Sequence, residues 1–233
     1  MDHIIDTDAQ RQIARVIDRA VSRVLGGWIN HGNEEAITSA LGQELMSQSF
    51  SDDGLQVQFN YRQLNKHTEE GAAGADGGFV VRVETPTATV KKAAIFQAKR
   101  LGGSGPVRRL TMNAAESNRL TGQVEKMLNQ TDEAVAVFYT EREIYVVDAA
   151  PLNLGHVNSP MRPLFEGHRL VTLGTYLGKW LPRCTRGDQS ADLVSRVEHQ
   201  DGFREGISMD VVCTRPSIQW RSDPEEDAWR RKN

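Results

Sequence analysis

The chain is poor in the features that staple or anchor a protein. Only two cysteines, Cys184 and Cys213, occur in 233 residues, with no CxxC pair and no clustered His/Cys spacing, so neither a disulfide framework nor a structural zinc site is expected. No apolar run approaches the roughly 20 residues of a membrane-spanning helix, and the opening MDHIIDTDAQRQ is acidic and polar where a secretion signal is basic and then apolar. The expectation is a cytoplasmic chain in a reducing compartment with no membrane partner. A large charge imbalance is missing too. The 28 basic and 31 acidic residues leave a formal net charge of -3, which excludes a polybasic coat for nucleic acid, so any polyanion site must be local.

Nucleotide and nucleophile motifs are also absent. The glycine-rich stretch Gly71 to Gly78 has no GK[ST] and no following helix, Gly102-Gly103-Ser104-Gly105 meets Pro106 where GxSxG requires glycine, and HExxH does not occur. What the chain does have is 39% hydrophobic and 25% charged residues, enough for one sizeable core.

Hydrophobic spacing orders that core. Ile13, Val16, Ile17, Ala20, Val21, Val24 and Leu25 predict a helix from Asp6 to the Gly26-Gly27 pair. Asn33 is the expected N-cap of a second helix running to about Ser47, with stripe Ile37, Leu41 and Leu45. Glu34 falls on that stripe, and Glu35 points about a quarter-turn away. Leu55, Val57, Phe59 and Tyr61 alternate with polar residues as a half-buried strand does; Phe79 to Val83 and Lys91 to Lys99 predict two more, and the three together suggest an antiparallel meander. A helix from Asn113 to Gln130 and strands at Ala134 to Tyr139 and Glu143 to Val147 follow. Beyond Pro151, Val171 to Leu181 reads as a short helix closed by Pro182, and Ile207 to Val212 as a late strand. The expected fold class is α/β (α+β), a mixed central sheet flanked by helices. Residues 1–30 are read as an N-terminal helical extension, 31–150 as the core, 151–220 as a C-terminal extension packed on it, and 221–233 as a flexible polar tail.

One constellation can do chemistry. Glu34 sits on a helix stripe, Asp76 at the start of a strand, and Gln97-Ala98-Lys99 on the next strand, where Gln97 and Lys99 share a face. A hairpin would bring Asp76 beside them. Two carboxylates with an amide oxygen form a hard ligand set that suits Mg2+ or Mn2+ and not Zn2+. Lys99 could then orient or help deprotonate an attacking water, and the whole would hydrolyse a phosphodiester. Alone, QxK could be a solvated strand edge and Asp-Gly-Gly a turn; the order in which both occur is the signal.

Gly74-Ala75-Asp76-Gly77-Gly78 followed by Ile95-Phe96-Gln97-Ala98-Lys99-Arg100 resembles the core of the PD-(D/E)xK nuclease superfamily, and within it the Mrr-like group, whose members often carry Gln in place of an acid. The resemblance spans about Asn33 to Val147 and implies a restriction-endonuclease-like core. It assigns Asp76, Gln97, Lys99 and Glu34 to catalysis, with Asp76, Gln97 and Glu34 holding Mg2+, for which Mn2+ can substitute. Ala75 stands where the family usually has proline, the spacer to Gln97 is long, and the amide removes one negative charge, so weaker metal affinity is implied. Gln123 and Glu35 are candidates for a supporting role, or simply solvated residues.

From Arg82 to Arg119 eight basic residues stand against Glu84 and Glu116, a positive island in a slightly acidic chain. Lys91, Lys92, Arg100, Arg108, Arg109 and Arg119 are its expected DNA contacts, with the loop Gly102 to Arg109 as an element that closes over the backbone. The expectation is a Mg2+-dependent DNA endonuclease that uses metal-activated water on double-stranded DNA. The resemblance adds bacterial restriction or anti-phage defence. Two cuts on a duplex imply a homodimer or larger oligomer, and a recognition or activating partner protein fits the lack of a DNA-reading module. The alternatives are a catalytically silent nucleic-acid-binding or scaffolding subunit and a structure-selective junction or RNA nuclease.

Overall fold

A computed structural model of the chain describes residues 5–28, 31–63, 74–101, 112–153, 170–183 and 186–214. The expected closing loop with Arg108 and Arg109, the turn-rich segment up to residue 73, Cys184 and the polar tail lie outside the described residues.

Local sequence explains most of the elements. Helix α1 spans Thr7–Gly26, with the Asp6 carboxylate accepting from the Ala9 amide at 2.8 Å. Helix α2 spans Glu34–Ser47, with Asn33 accepting from the Ala36 amide at 2.9 Å; both caps satisfy amides that the first helical turn leaves unpaired. Strand β1 (Phe50–Asp52) turns into β2 (Leu55–Gln63) through Asp53 and Gly54, both at positive φ, the two-residue turn whose twist suits a hairpin. Strands β3 (Gly77–Thr85) and β4 (Ala88–Arg100) form a second hairpin across Pro86. Helix α3 (Ala114–Leu128), β5 (Ala134–Tyr139) and β6 (Ile144–Asp148) follow as expected.

The C-terminal half departs from expectation. Val171 to Leu181 is not one helix but strand β7 (Val171–Thr172), a helical turn α4 (Leu173–Thr175) and a π-helical turn at Tyr176–Trp180. Helix α5 (Ala191–His199) lies in a stretch that reads as merely polar, because only Leu193, Val194 and Val197 are buried on it. Strand β8 spans Glu205–Cys213.

These elements make a mixed α/β structure on one mixed eight-stranded sheet, ordered β1-β2-β8-β3-β4-β5-β6-β7. The expected meander of β2, β3 and β4 does not form. β8 enters between β2 and β3, antiparallel to the first and parallel to the second. The reason is visible in β3, whose first five residues are all buried and so need a strand on each side. The segment after Pro151, expected as an extension, therefore supplies a central strand. Helices α1 and α2 and the 173–180 segment cover one face, where Ile13, Ile17, Leu41, Phe79, Phe96 and Tyr139 share a core; α3 and α5 cover the other around Val80, Ile95, Val124 and Phe138. No helix among the described residues is long and apolar enough to cross a membrane.

The Asp-Gly-Gly sequence is a packing device as much as a turn. A Cβ on Gly77 would lie 2.5 Å from the Glu205 carbonyl oxygen, and one on Gly78 would lie 2.3 Å from Val197 of α5. Only glycine lets β8 and α5 close on the start of β3. Gly77→Ala should cost about 1–3 kcal/mol, the range for overpacking a tight core, read as a lower urea midpoint with an unchanged slope; an unaltered midpoint contradicts this packing.

Candidate cation and phosphate site

The β3–β4 register sets Gly77 opposite Phe96, and this fixes Asp76 one residue before the strand. The Asp76 amide donates to the Phe96 carbonyl at 2.9 Å, while its own carbonyl accepts from the Arg204 and Glu205 amides at 3.0 and 3.1 Å. The Asp76 carboxylate accepts from the Ala98 amide at 2.9 Å and from the Gln97 side-chain amide. Gln97 also donates to the Ala98 carbonyl at 3.2 Å and is 2% exposed. Lys99, two residues along β4, lines the same cleft.

Helix α2 closes the cleft from the other face of the sheet. Thr38 and the Tyr139 hydroxyl, 2.7 Å apart, fasten its first turns, and Glu34 accepts from the Arg100 amide at 3.1 Å, capping the end of β4. Glu35, expected to point away, lines the cleft as well, its carboxylate accepting from Gln63 at 3.4 Å. The cleft of 270 Å³ thus gathers Glu34, Glu35, Asp76, Gln97, Lys99, Arg119 and Gln123.

It also gathers Arg204 and Glu205, which sequence reasoning missed. Glu205 is 2% exposed, accepts from the Tyr61 hydroxyl and lies 3.4 Å from the Gln63 amide. The signal was available. In β8 the residues Glu205, Ile207, Met209, Val211 and Cys213 are all buried, so extending the alternation two residues back from Ile207 marks Glu205 as an inward acid.

Burial is the main force on both central acids. It pushes the Asp76 carboxyl up, opposed by the Ala98 amide, Lys99 and Arg204, and reinforced by Glu34. It pushes Glu205 from 4.5 to about 7, with the Tyr61 hydroxyl and Arg204 opposing and the charges of Glu35 and Asp76 adding.

The expected DNA contacts divide. Arg119 is exposed on the cleft. Arg100 is turned to the α1–α2 side, where its guanidinium donates to the His31 carbonyl and lies 4.3 Å from the Trp28 ring centre. Lys91 pairs with Glu198 at 2.5 Å and stands eight residues from Lys99 along β4, about 27 Å at the rise of a strand. Lys92 is not a surface residue at all: it is 1% exposed, and its ammonium donates to the Arg183 and Arg186 carbonyls. The basic island of the sequence is therefore partly consumed inside the fold.

Among the described residues no group of three His, Cys, Asp or Glu is arranged to hold a metal. The neutral oxygens matter instead. Gln97 Oε1 and Gln123 Oε1, both lining the cleft, are shielded from solvent and have no hydrogen-bond partner. Amide oxygens without a donor, in a cleft that carboxylates also line, are the donor chemistry of a hard divalent cation; Asp76, Gln97 and Glu34 are the candidates to hold Mg2+ or Mn2+, Gln97 once its amide turns from the arrangement in which its nitrogen donates to Asp76.

Comparison of the chain with protein-family models, with curated proteins and with solved structures gives no match.

Folded Glu205 keeps its proton to about pH 7 where the unfolded chain releases it near 4.5, so its contribution to stability is full below the lower value and is lost as pH rises through the upper one. In EDTA, Glu205→Gln should gain on the parent chain by on the order of 1–3 kcal/mol between about pH 5 and pH 8. Parallel Tm profiles for the two proteins contradict this assignment.

Proposed function

We propose that the chain is a nuclease that hydrolyses phosphodiesters with a divalent cation, acting on DNA, built on a restriction-endonuclease-like arrangement. The observation that carries this reading is the clamp of Asp76 to Gln97 and Ala98 with Lys99 on the same face of β4, in a cleft that Glu34 completes from α2. The run α2, β1, β2, β3, β4, α3, β5 supports it: a helix-borne Glu34 precedes the strands that place Asp76, Gln97 and Lys99, and a helix then a strand follow, the order in which the PD-(D/E)xK resemblance expects those residues.

A bound Mg2+ supplies Lewis acidity toward a phosphoryl oxygen. The chain does the rest. Asp76 and Glu34 contribute negative charge, and Gln97 an oxygen without charge. Lys99 orients the attacking water and offsets the half-buried Asp76 carboxylate. Arg119 and Arg204 draw the phosphate oxygens to the basic side of the cleft. The water oxygen bonds to phosphorus as one ester P–O bond breaks; the water gives up a proton to solvent, and the departing alkoxide takes one from solvent to leave as the alcohol.

A second reading, a silent binding subunit that keeps this cleft without cutting, draws on the lack of a three-acid cluster among the described residues. Incubation with supercoiled and linear duplex DNA in Mg2+, Mn2+ or EDTA separates the two. Cation-dependent cutting is expected, reduced about 100-fold or more in Lys99→Ala and in Asp76→Asn. Binding without cutting under all conditions favours the silent subunit, cutting confined to junctions or RNA identifies a structure-selective enzyme, and full activity in either variant overturns the site.

A further inference from the structure

Gln123 has a position that its sequence pattern does not explain. Helix α3 packs through Leu120, Thr121, Val124 and Met127, and Gln123 lies beside that stripe, where a surface glutamine would turn both amide atoms to water. Its Oε1 is instead shielded and unpartnered, and the residue lines the cleft with Gln97, whose Oε1 is in the same condition. An amide oxygen buried without a donor costs about 1–3 kcal/mol. Two in one cleft is a cost that folding alone does not require. The other shielded, unpartnered atoms among the described residues, Asp18 Oδ1 and the Tyr176 hydroxyl, do not line this cleft.

The chain before Asp76 is built against this same turn of α3. Gly74 has φ +69, and a Cβ there would lie 2.6 Å from the Gln123 carbonyl oxygen and 2.7 Å from Lys126 Cβ. A glycine in the left-handed region is what allows the approach. The segment that delivers Asp76 therefore rests directly on the turn that carries Gln123, which couples the positions of the two residues.

We propose that the Gln123 side-chain oxygen belongs to the shell of a divalent cation held by Asp76 and Gln97, directly or through one of the waters that Mg2+ retains. The inference rests on the reading of this cleft as a cation site and adds a ligand to it. Its chemistry is consistent with the surroundings. Glu34, Glu35, Asp76 and Glu205 already line the cleft, so another carboxylate would add like-charge repulsion before the cation arrives, whereas an amide adds an oxygen and no charge. Gln97 and Gln123 together would supply the neutral half of a set whose charged half is Asp76 and Glu34.

The test is Mn2+ titration of the full chain by calorimetry, together with Tm in EDTA, for the parent protein, Gln123→Leu and Gln123→Glu. Gln123→Leu conserves volume and removes the orphaned oxygen, so its Tm in EDTA should equal or exceed that of the parent, while its Mn2+ affinity falls about 10–100-fold, the cost of losing a supporting group at a metal site. Gln123→Glu restores an oxygen and should bind within a few-fold of the parent. Unchanged Mn2+ affinity in Gln123→Leu overturns the role of Gln123 and leaves the cation reading standing. A lowered Tm for Gln123→Leu in EDTA also overturns it, because the side chain would then be a packing element. No Mn2+ binding by the parent chain overturns the cation reading itself, and the role of Gln123 with it.

Discussion

Asp76 joins three strands at once, and the rest of the site depends on that junction. Its amide is spent on β4, its carbonyl on the first two residues around the start of β8, and its carboxylate on the Ala98 amide and the Gln97 side chain. A residue tied at its amide, its carbonyl and one carboxylate oxygen cannot be repositioned without breaking the register of β3 with both neighbours. The glycines that follow it let β8 and α5 approach this junction. The geometry of the cleft and the topology of the sheet are thus one constraint.

The cleft concentrates polar groups that the fold would be more stable without. Asp76, half-buried, and Glu205, buried, are acids shifted toward their protonated forms, and two amide oxygens have no donor. Such groups each oppose folding by amounts on the order of a kcal/mol, offset by the apolar cores on both faces of the sheet. Away from the cleft the Lys92 ammonium has two carbonyl acceptors and the Arg186 guanidinium has Asp148 at 2.7 Å, while Asp18 Oδ1 and the Tyr176 hydroxyl are shielded without a partner. Two of the four shielded, unpartnered polar atoms among the described residues share this one cleft with two shifted acids, the pattern expected of a site that is completed by something it binds.

How legible this was in the sequence depended on whether the relevant contacts were local. The Asn33 cap, the α1 stripe and the β3–β4 hairpin are set by residues near one another in the chain, and all were readable, as was the start of α1 at Asp6 though not its cap. For the same reason the approach of Asp76 to Gln97 could be anticipated from a hairpin alone. The insertion of β8 between β2 and β3 pairs residues far apart in the chain, and alternation says only that a strand is half-buried, not what it pairs with. Glu205 and Arg204 enter the cleft through that non-local pairing and were missed with it. The basic island failed in the opposite way. Charge counted along the chain cannot tell Lys92, capped by carbonyls, or Arg100, stacked on Trp28, from Arg119 at the cleft.

On the proposed reading, Asp76 and Gln97 hold a divalent cation in this cleft. The most direct measurement is anomalous diffraction from crystals grown with Mn2+. A single strong peak is expected within about 2.0–2.6 Å of an Asp76 carboxylate oxygen and the Gln97 amide oxygen. A well-ordered cleft with no peak there, at Mn2+ concentrations that saturate the protein in solution, contradicts it.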